Sequence, residues 1–279
     1  MPTHKESVPV GEIVDRTELR ATFERMVTGQ EAKRLMFVSA PSGRGKTCLL
    51  KLMREYCRAQ EVACATVDFF AQPHDAPYLT LAREICEQLG IVPRHVAEAV
   101  APLAAQGAGG VAQTQIDGDV VGSQVITQVL VQVSLSHEAL QKDYLKQRLK
   151  RALAEDLGTA DGRLVCLFDT VDSIGEDEEA WLLDALLRPV REGALAQLVV
   201  ITAGRCWPDI NDWEWEDNAH LIYDLPPLTE QDIQEFARRL GYDISDKQAE
   251  FYWQASRGGL PVMMGIVVKN LLSAGGLGE

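Results

Sequence analysis

The stretch APSGRGKT, residues 40–47, decides the fold of this chain. A short apolar run, 34–39, precedes it, and an amphipathic segment, 48–56, follows it. A strand, a tight loop whose backbone N–H groups surround an anion, and a helix N-terminus with its partial positive charge together form a phosphate site. Gly43 and Gly45 stand where the backbone must approach phosphate most closely. The sequence therefore predicts a phosphate-binding loop.

Two side chains of this loop carry its predicted chemistry. Lys46 is expected to reach the β- and γ-phosphates, and the Thr47 hydroxyl to bind Mg²⁺. Arg44 is expected to point outward, and Ala40 to supply the small residue that the strand–loop junction needs. The nucleotide-contacting residues predicted here are Ala40, Pro41, Ser42, Gly43, Arg44, Gly45, Lys46, Thr47 and Cys48. A Gly-rich turn without chemistry is the alternative, which the strand before and the helix after disfavour.

A second apolar strand, 164–169, ends in an acid. Asp169 is predicted to hold Mg²⁺ from a strand next to the loop strand, where parallel strands end at the ligand-binding edge of the sheet. The alternative is an aspartate that caps the next turn. Asp172 offers a second carboxylate to orient or deprotonate the attacking water, or it caps the following helix. Thr170 occupies a position where many ATPases carry an acid, so we expect slow hydrolysis.

An arginine follows the next apolar strand. Arg205, after the run 198–202, places a guanidinium at the same sheet edge, where its N–H donors would contact a γ-phosphate. A solvated arginine is the alternative. The predicted catalytic residues are Lys46, Asp169, Asp172 and Arg205, and the predicted metal ligands are Thr47 and Asp169. The acidic run 176–179 is interpreted as a solvated helix start, because negative charge there favours the helix dipole.

The order of these runs predicts an α/β fold. Five apolar strands alternate with helices, which indicates a mainly parallel five-stranded sheet between helices, typical of a P-loop NTPase. From about residue 229 only helices are predicted. We therefore expect a nucleotide-binding domain over 1–228, with an inserted β-ribbon at about 93–136, and a small helical lid over 229–279. The β-branched stretch 115–133 is predicted to mediate self-association or contact a neighbouring domain, unless it packs on its own core.

Composition narrows the class of partner. A net charge of −14 makes nucleic acid an unlikely partner, because affinity for phosphate backbones comes largely from Lys and Arg. Six cysteines without paired metal-binding spacing are interpreted as reduced thiols of a cytoplasmic protein. We find no signal peptide and no apolar run of the ~18 residues that a membrane span needs, so no membrane association is expected.

Taken together, the motifs resemble the nucleotide-binding module of STAND NTPases, the AAA+-related signal-transduction ATPases that include the NACHT and NB-ARC groups. The resemblance rests on Val14-Asp15-Arg16, APSGRGKT, Asp169-Thr170-Val171-Asp172, Thr202-Ala203-Gly204-Arg205 and Gly259-Leu260-Pro261. It implies that Arg16 lies near the nucleotide, that Asp172 is the second acid, that Arg205 is the sensor arginine, and that Pro261 packs on the base. It also implies ATP and ADP as ligands. Ala40, Asp15 and Thr170 depart from the family pattern. These departures bear on the expected hydrolysis rate more than on the expected nucleotide binding.

Two classes of function follow from this sequence. In the first, ATP or ADP with Mg²⁺ clamps the α/β core against the lid, and exchange or slow hydrolysis releases it, as in a regulatory switch. In the second, the chain is an AAA+ motor acting on protein or nucleic acid, or a P-loop kinase. A nucleotide-binding scaffold without turnover differs from the switch only in rate. Because STAND proteins join this module to effector and sensor domains, we expect protein partners or further domains of a longer chain.

Overall fold

The computed structural model of this protein describes residues 16–70, 77–107, 139–206, 212–239, 241–261 and 263. The helices are α1 (Thr17–Thr28), α2 (Lys46–Ala59), α3 (Pro77–Leu89), α4 (Arg94–Gly107), α5 (Ala139–Gly158), α6 (Glu176–Leu182), α7 (Arg188–Arg191), α8 (Asp212–Trp215), α9 (Glu230–Arg239) and α10 (Asp246–Ala255). The strands are β1 (Leu35–Ser39), β2 (Ala63–Asp68), β3 (Leu164–Asp169), β4 (Leu198–Gly204) and β5 (Ala219–Ile222). A 3₁₀ turn, Val171–Ser173, follows β3, and a π-helical turn, Leu183–Leu187, joins α6 to α7.

The five strands of the described segments form one all-parallel sheet in the order β2-β3-β4-β1-β5. The predicted five-stranded parallel sheet between helices is therefore confirmed. The expectation that the acid-bearing strand neighbours the loop strand is wrong, because β4 lies between β3 and β1. The register explains why their ends still meet: Asp169 pairs with Ala203, and Ala203 pairs with Val38, one residue before β1 ends. All three strands thus end at one edge of the sheet.

Strands β3 and β4 are buried along their whole length. Alternate residues of β3 belong to two core clusters: Leu164, Cys166 and Phe168 lie in one, and Val165 and Leu167 lie in the other. Because helices cover both faces of a parallel sheet, neither face tolerates a row of polar residues. Each fully buried apolar side chain of this size contributes roughly 1.5–3 kcal/mol. The same burial keeps the strand ends, and the side chains on them, in fixed positions.

Helices α9 and α10 pack on each other around a third, smaller core. Its buried members are Leu228, Ile233, Phe236, Ala237, Ile244, Ala249 and Tyr252. Ser245 forms a capping box with Gln248, which fixes the first residue of α10. Leu228 N–H donates to Gly259 O over 2.8 Å, and Trp253 Nε1 donates to Leu228 O over 3.1 Å, so the chain entering this helical pair is bonded to the chain leaving it. The domain boundary at residue 228 stays a prediction.

The predicted insertion is only partly described. Residues 94–107 form α4, whose first turn is held by the buried Asp156 carboxylate accepting the backbone N–H groups of His95 and Val96. The stretch 115–133, predicted as an interaction ribbon, lies outside the described residues. Among the helices of the described segments, none combines the length and apolar character that crossing a membrane requires.

Candidate nucleotide-binding site

Backbone conformation builds the loop between β1 and α2. Gly43 and Gly45 have φ values of 83° and 90°, in the left-handed region that side chains rarely adopt. Gly45 immediately precedes α2, so the loop opens directly onto the helix N-terminus. Ala40 is buried, and its N–H donates to Gly204 O over 3.1 Å. The loop is thereby fixed to β4 at its first residue, and a small side chain fits there.

Lys46 turns back over this loop. Its Nζ donates to Ala40 O at 2.5 Å and to Pro41 O at 3.0 Å. Burial lowers the pKa of Lys46, while the nearby Asp172 and Asp169 carboxylates oppose that shift. The lysine therefore lies within electrostatic reach of both acids that the sequence singles out.

Asp169 lies against the start of α2. Thr47 Oγ1 donates to Asp169 Oδ2 over 2.6 Å, and Thr170 N–H donates to Asp169 Oδ1 over 2.9 Å. Burial raises the pKa of Asp169, and these two hydrogen bonds act in the opposite direction. Hydroxyl and carboxylate oxygens are the donors that Mg²⁺ prefers. Although β4 separates their strands, the predicted metal ligands Thr47 and Asp169 are in contact, and as a donor pair they fit Mg²⁺.

Asp172 is paired with Arg205. The Arg205 backbone N–H donates to Asp172 Oδ1 over 2.8 Å, and Arg205 Nε donates to Asp172 Oδ2 over 2.5 Å. Burial opposes ionisation of Asp172, but these bonds outweigh it and hold the pKa of Asp172 below its usual value. The residue preceding α6 is Gly175, which makes no side-chain cap. Asp172 therefore does not cap the following helix, which was the structural alternative for it.

One cavity of about 470 Å³ joins these groups. Its lining residues are Ser42, Gly43, Gly45, Lys46, Thr47, Cys48, Phe70, Asp169, Thr170, Asp172, Ser173, Arg205 and Pro261. The predicted catalytic residues Lys46, Asp169, Asp172 and Arg205 are thus all brought together. Four predicted nucleotide contacts are not among the lining residues: Arg16, Ala40, Pro41 and Arg44.

Arg16 and Pro261 occupy different positions around the loop. Arg16 is buried, and its Nη2 donates to Pro226 O over 2.7 Å and to Arg44 O over 3.3 Å. It joins the loop to the segment that leads into the helical pair. Pro261 lines the cavity, and its Cγ would lie 3.4 Å from a Cβ placed on Gly45. Contact of Arg16 with the nucleotide and of Pro261 with the base stay predictions.

Sequence reasoning missed two residues of the cavity lining and one residue behind it. Phe70 and Ser173 line the cavity, as does Thr170, which was expected to affect only the hydrolysis rate. A Cβ on Gly204 would lie 2.8 Å from Val171 Cγ2 and 3.0 Å from Asp172 Oδ1, so only glycine leaves room for this pairing. Phe70 follows β2, and the carboxyl ends of parallel strands meet at one sheet edge. That rule alone would have pointed to Phe70, whereas nothing in the sequence signals the contact behind Gly204.

In the described segments, no group of three or more His, Cys, Asp or Glu side chains is arranged to hold a metal. A divalent ion here would therefore rely on Thr47, Asp169 and oxygens from a bound phosphate, which is how Mg²⁺ is commonly held beside nucleotides. The six cysteines, all in described segments, are free thiols.

Two solved structures are similar to this chain, and the first of them supports the fold. Cdc6p from Pyrobaculum aerophilum gives a TM-score of 0.52 at 13% identity, over 98% of this chain and 65% of that one. The Aeropyrum pernix Orc1 protein, solved in complex with DNA, gives 0.41 at 13% identity, over 95% of this chain and 62% of that one. The chain thus spans less than two thirds of either protein. Both similarities concern the fold, and they do not bear out the expectation that nucleic acid is an unlikely partner.

Comparison of sequences gives the family. No curated protein sequence matches significantly. A family model described as an AAA ATPase domain matches residues 14–201, a span that includes the phosphate-binding loop and both acids. Because that match covers well over half of the chain, the protein belongs to the AAA ATPase domain family of P-loop NTPases.

Proposed function

We propose that this chain is an ATP-binding regulatory switch module that hydrolyses ATP slowly in the presence of Mg²⁺. The observation that carries the proposal is the single cavity in which the loop, the two acids and Arg205 meet Pro261 from the helical region. Membership of the AAA ATPase family implies nucleotide binding, typically with Mg²⁺. The finer roles below are our assignments.

The loop end of the cavity supplies binding. The phosphates would be held by the N–H groups around Gly43 and Gly45 and by the N-terminus of α2. Lys46 would replace its hydrogen bonds to the loop carbonyls with bonds to phosphate oxygens. Thr47 and Asp169 would hold Mg²⁺, which neutralises phosphate charge when bound. Thr47 and Asp169 already lie within hydrogen-bond distance of each other, so these two side chains would need little rearrangement to bind the ion.

Asp172 and Arg205 would supply turnover. A carboxylate at the position of Asp172 can orient or accept a proton from the attacking water, and a guanidinium at Arg205 can stabilise charge on the γ-phosphoryl group. Thr170 stands beside Asp169 where an acid would otherwise lie, and Asp172 is engaged by Arg205. Both features support slow hydrolysis, well below the ~10 s⁻¹ that is typical of enzymes.

The helical region would convert nucleotide state into a signal. Pro261 approaches Gly45, and Arg16 bonds both to the loop and to Pro226 on the way into the helical pair. A ligand that bound more tightly to one arrangement of core and lid would shift the population toward that arrangement. A STAND-like role adds protein partners or further domains, a cytoplasmic location and self-association through residues 115–133 to this proposal.

An AAA+ motor acting on protein or nucleic acid fits the family match comparably. The two proposals differ in what stimulates turnover. A motor hydrolyses ATP faster when its substrate polymer is present, whereas a switch turns over slowly until a partner or nucleotide exchange resets it. A scaffold that never hydrolyses ATP would bind both nucleotides and show no turnover.

Calorimetry of ATP and ADP binding with Mg²⁺ tests the first step. Lys46→Ala removes the phosphate-facing ammonium and should weaken ATP binding by about 1.5–3 kcal/mol, the usual contribution of a charged hydrogen bond. Lys51→Ala, on an exposed position of the same helix, is the matched control and should bind as the wild type does. Equal affinities for wild type and Lys46→Ala would contradict the proposed site.

Steady-state hydrolysis with and without duplex DNA, or with an unfolded protein, separates the switch from the motor. A slow rate that neither polymer changes supports the switch, and a rate that rises many-fold supports the motor.

Trp253 reports on the lid, because its indole N–H is bonded to Leu228 O. Its fluorescence should differ between the ATP-bound and ADP-bound chain, and Trp253→Phe should remove that difference.

A further inference from the structure

Two thiols meet where α2 ends and β2 begins. Cys57, in the last turn of α2, is fully buried, and Cys64, the second residue of β2, is partly exposed. Both belong to the core on the α2 side of the sheet: Cys57 is a member of that cluster, and Cys64 packs against it. Six residues separate the two cysteines in the chain, so a short turn determines how their side chains face each other.

Backbone hydrogen bonds fix this turn. Val62 N–H donates to Cys57 O over 2.9 Å. Glu61 N–H donates to Arg58 O over 3.3 Å, and Glu61 has a left-handed φ of 54°. These two bonds form the Schellman arrangement that commonly ends a helix. Val62 and Cys64 both pack against the α2-side core, as expected from the alternation of side chains along a strand. The turn therefore brings Cys64 back beside the last turn of α2.

The two thiols are chemically unequal. A hydrogen bond between them raises the pKa of Cys57 and lowers the pKa of Cys64. Burial adds to the rise at Cys57; at Cys64 burial opposes the fall, and the charge of the exposed Arg54 favours it. The thiolate is the nucleophilic form of cysteine, and reactive cysteines are typically partly exposed and close to a cation. Cys64 has these properties, and Cys57 lies behind it as a protonated thiol.

Two further cysteines of the same layer of structure lack these properties. Cys86 in α3 and Cys166 in β3 lie in the core on the other face of the sheet, and both are fully buried. Burial raises the pKa of Cys86 to about 12, and it also raises the pKa of Cys166 above its ordinary value. Both thiols are therefore protonated at neutral pH and shielded from a dissolved oxidant. They provide an internal reference for the reactivity of the first two.

We propose that Cys57 and Cys64 are a peroxide-sensitive dithiol, in which Cys64 is the attacking and Cys57 the resolving residue. The Cys64 sulfur attacks one oxygen of hydrogen peroxide, so an S–O bond forms, the O–O bond breaks, and the released hydroxide takes up a proton and leaves as water. The Cys57 thiol then loses its proton, and its sulfur attacks the sulfur of the Cys64 sulfenic acid. The S–S bond forms as the S–O bond breaks, and a second water leaves.

The reaction reduces one peroxide to two waters and oxidises two thiols to one disulfide, which an external dithiol can reverse. All six cysteines are free thiols here, so the bond would form only on oxidation. It would join β2, an edge strand of the described sheet, to the helix that begins at the phosphate-binding loop. No nucleotide takes part, so the proposal does not depend on the proposed ATP site.

Peptide mapping of the full chain after brief treatment with hydrogen peroxide at neutral pH tests the assignment. The experiment uses Cys206→Ser, because Cys206 is exposed and would react by itself. Remaining thiols are blocked with N-ethylmaleimide before digestion. A disulfide between Cys57 and Cys64 should be the main product, and it should form at least about tenfold faster than Cys86 or Cys166 is oxidised. Dithiothreitol should return both thiols.

Substitutions in the same background separate the two roles. Cys57→Ser should stop the reaction at a sulfenic acid on Cys64, which dimedone traps. Cys64→Ser should leave Cys57 reduced, because the buried thiol then has no reactive neighbour. Arg54→Gln removes the cation near Cys64 and should slow the first step about threefold. Arg58→Gln is the matched control, because this exposed arginine of the same helix pairs with Glu55 and should not affect the rate.

Three results would overturn the proposal: Cys57 and Cys64 both staying reduced, oxidation of Cys86 and Cys166 at the same rate, or oxidation of Cys57 at an unchanged rate in Cys64→Ser. Circular dichroism before and after treatment checks that the chain stays folded. If a serine variant at either position does not fold, the comparison of the two sets of thiols within Cys206→Ser still decides the question. A failure of the proposed ATP site would leave every one of these results unchanged.

Discussion

The two ends of the cavity are built by different physical means. The loop end, residues 42–48, is one contiguous stretch whose shape comes from left-handed backbone at Gly43 and Gly45. The acid–arginine end, Asp169 with Asp172 and Arg205, is built from side chains, and its central bond joins residues 33 positions apart in the chain. Backbone sets the first end and side-chain pairing sets the second. Substitutions should therefore affect binding at one end and turnover at the other.

Among the substitutions that alter the backbone at either end, the largest effect is expected at the loop end, from Gly45→Ala. Alanine at a φ of 90° costs roughly 1–2 kcal/mol of backbone strain, and relief of that strain would turn the N–H groups away from the phosphates. ATP affinity should fall at least about tenfold, since about 1.4 kcal/mol corresponds to that factor. Calorimetry measures the affinity, and denaturant unfolding measures the stability.

Gly162→Ala is the matched control for this substitution. Gly162 has a φ of 91°, and a Cβ there would meet no atom within 4 Å. It should lose similar stability and keep full ATP affinity. If both variants bound ATP equally well, the conformation of the loop backbone would not determine binding.

The contrast between the two ends also explains what could be predicted from the sequence. The loop, its strand and its helix are local, so APSGRGKT and its flanks are sufficient to predict them. The sheet was predictable in class, because apolar runs such as 164–169 have no polar alternation. The strand order could not be predicted, because nothing in the sequence of β3 specifies which strand becomes its neighbour in the sheet. The Asp172–Arg205 bond was equally hidden, since its parts lie on separate segments that only the finished sheet brings together.

A smaller effect, on turnover, is expected from Gly204→Ala at the acid–arginine end. The added methyl group would meet Val171 and Asp172 at 2.8 and 3.0 Å, so the carboxylate must move. We expect hydrolysis to fall about fivefold, since misplacing a reacting group slows chemistry, and stability to fall by roughly 1 kcal/mol from overpacking. ADP affinity should not change. Gly158→Ala, where a Cβ would meet no atom within 4 Å, should leave hydrolysis and ADP affinity as they are.

Thr47 connects the two ends, and Thr47→Val tests that connection. Valine keeps the shape of threonine but loses the 2.6 Å hydrogen bond to Asp169 and the proposed Mg²⁺ ligand. Calorimetry with and without Mg²⁺ should show that the ion's contribution to ATP affinity falls about threefold or more, roughly one hydrogen bond in size. Affinity without Mg²⁺ should be unchanged, and Thr47→Ser should behave as wild type. A loss of similar size without Mg²⁺ would instead assign Thr47 to the loop end alone.

The smallest effect is a pH dependence of stability that belongs to the acid–arginine end. Hydrogen bonds from Arg205 outweigh the burial of Asp172 and hold its pKa below the ordinary value of 3.8. A carboxyl group whose pKa is lower in the folded than in the unfolded chain stabilises the fold fully above the unfolded pKa, and loses that contribution as the pH falls through the folded one. Asp172→Asn lacks the contribution at every pH. The difference in free energy of unfolding between wild type and Asp172→Asn should therefore be constant from pH 7 to about 5 and decrease below about pH 4.

This difference in free energy should stay small, because solvent screens the exposed Arg205 side chain. Asp169, whose pKa is raised by burial, is present in both proteins and cancels in the difference. Denaturant unfolding at pH 7, 5, 4 and 3 measures it, and a difference that persists unchanged at pH 3 would mean that shape rather than charge holds the acid–arginine end together.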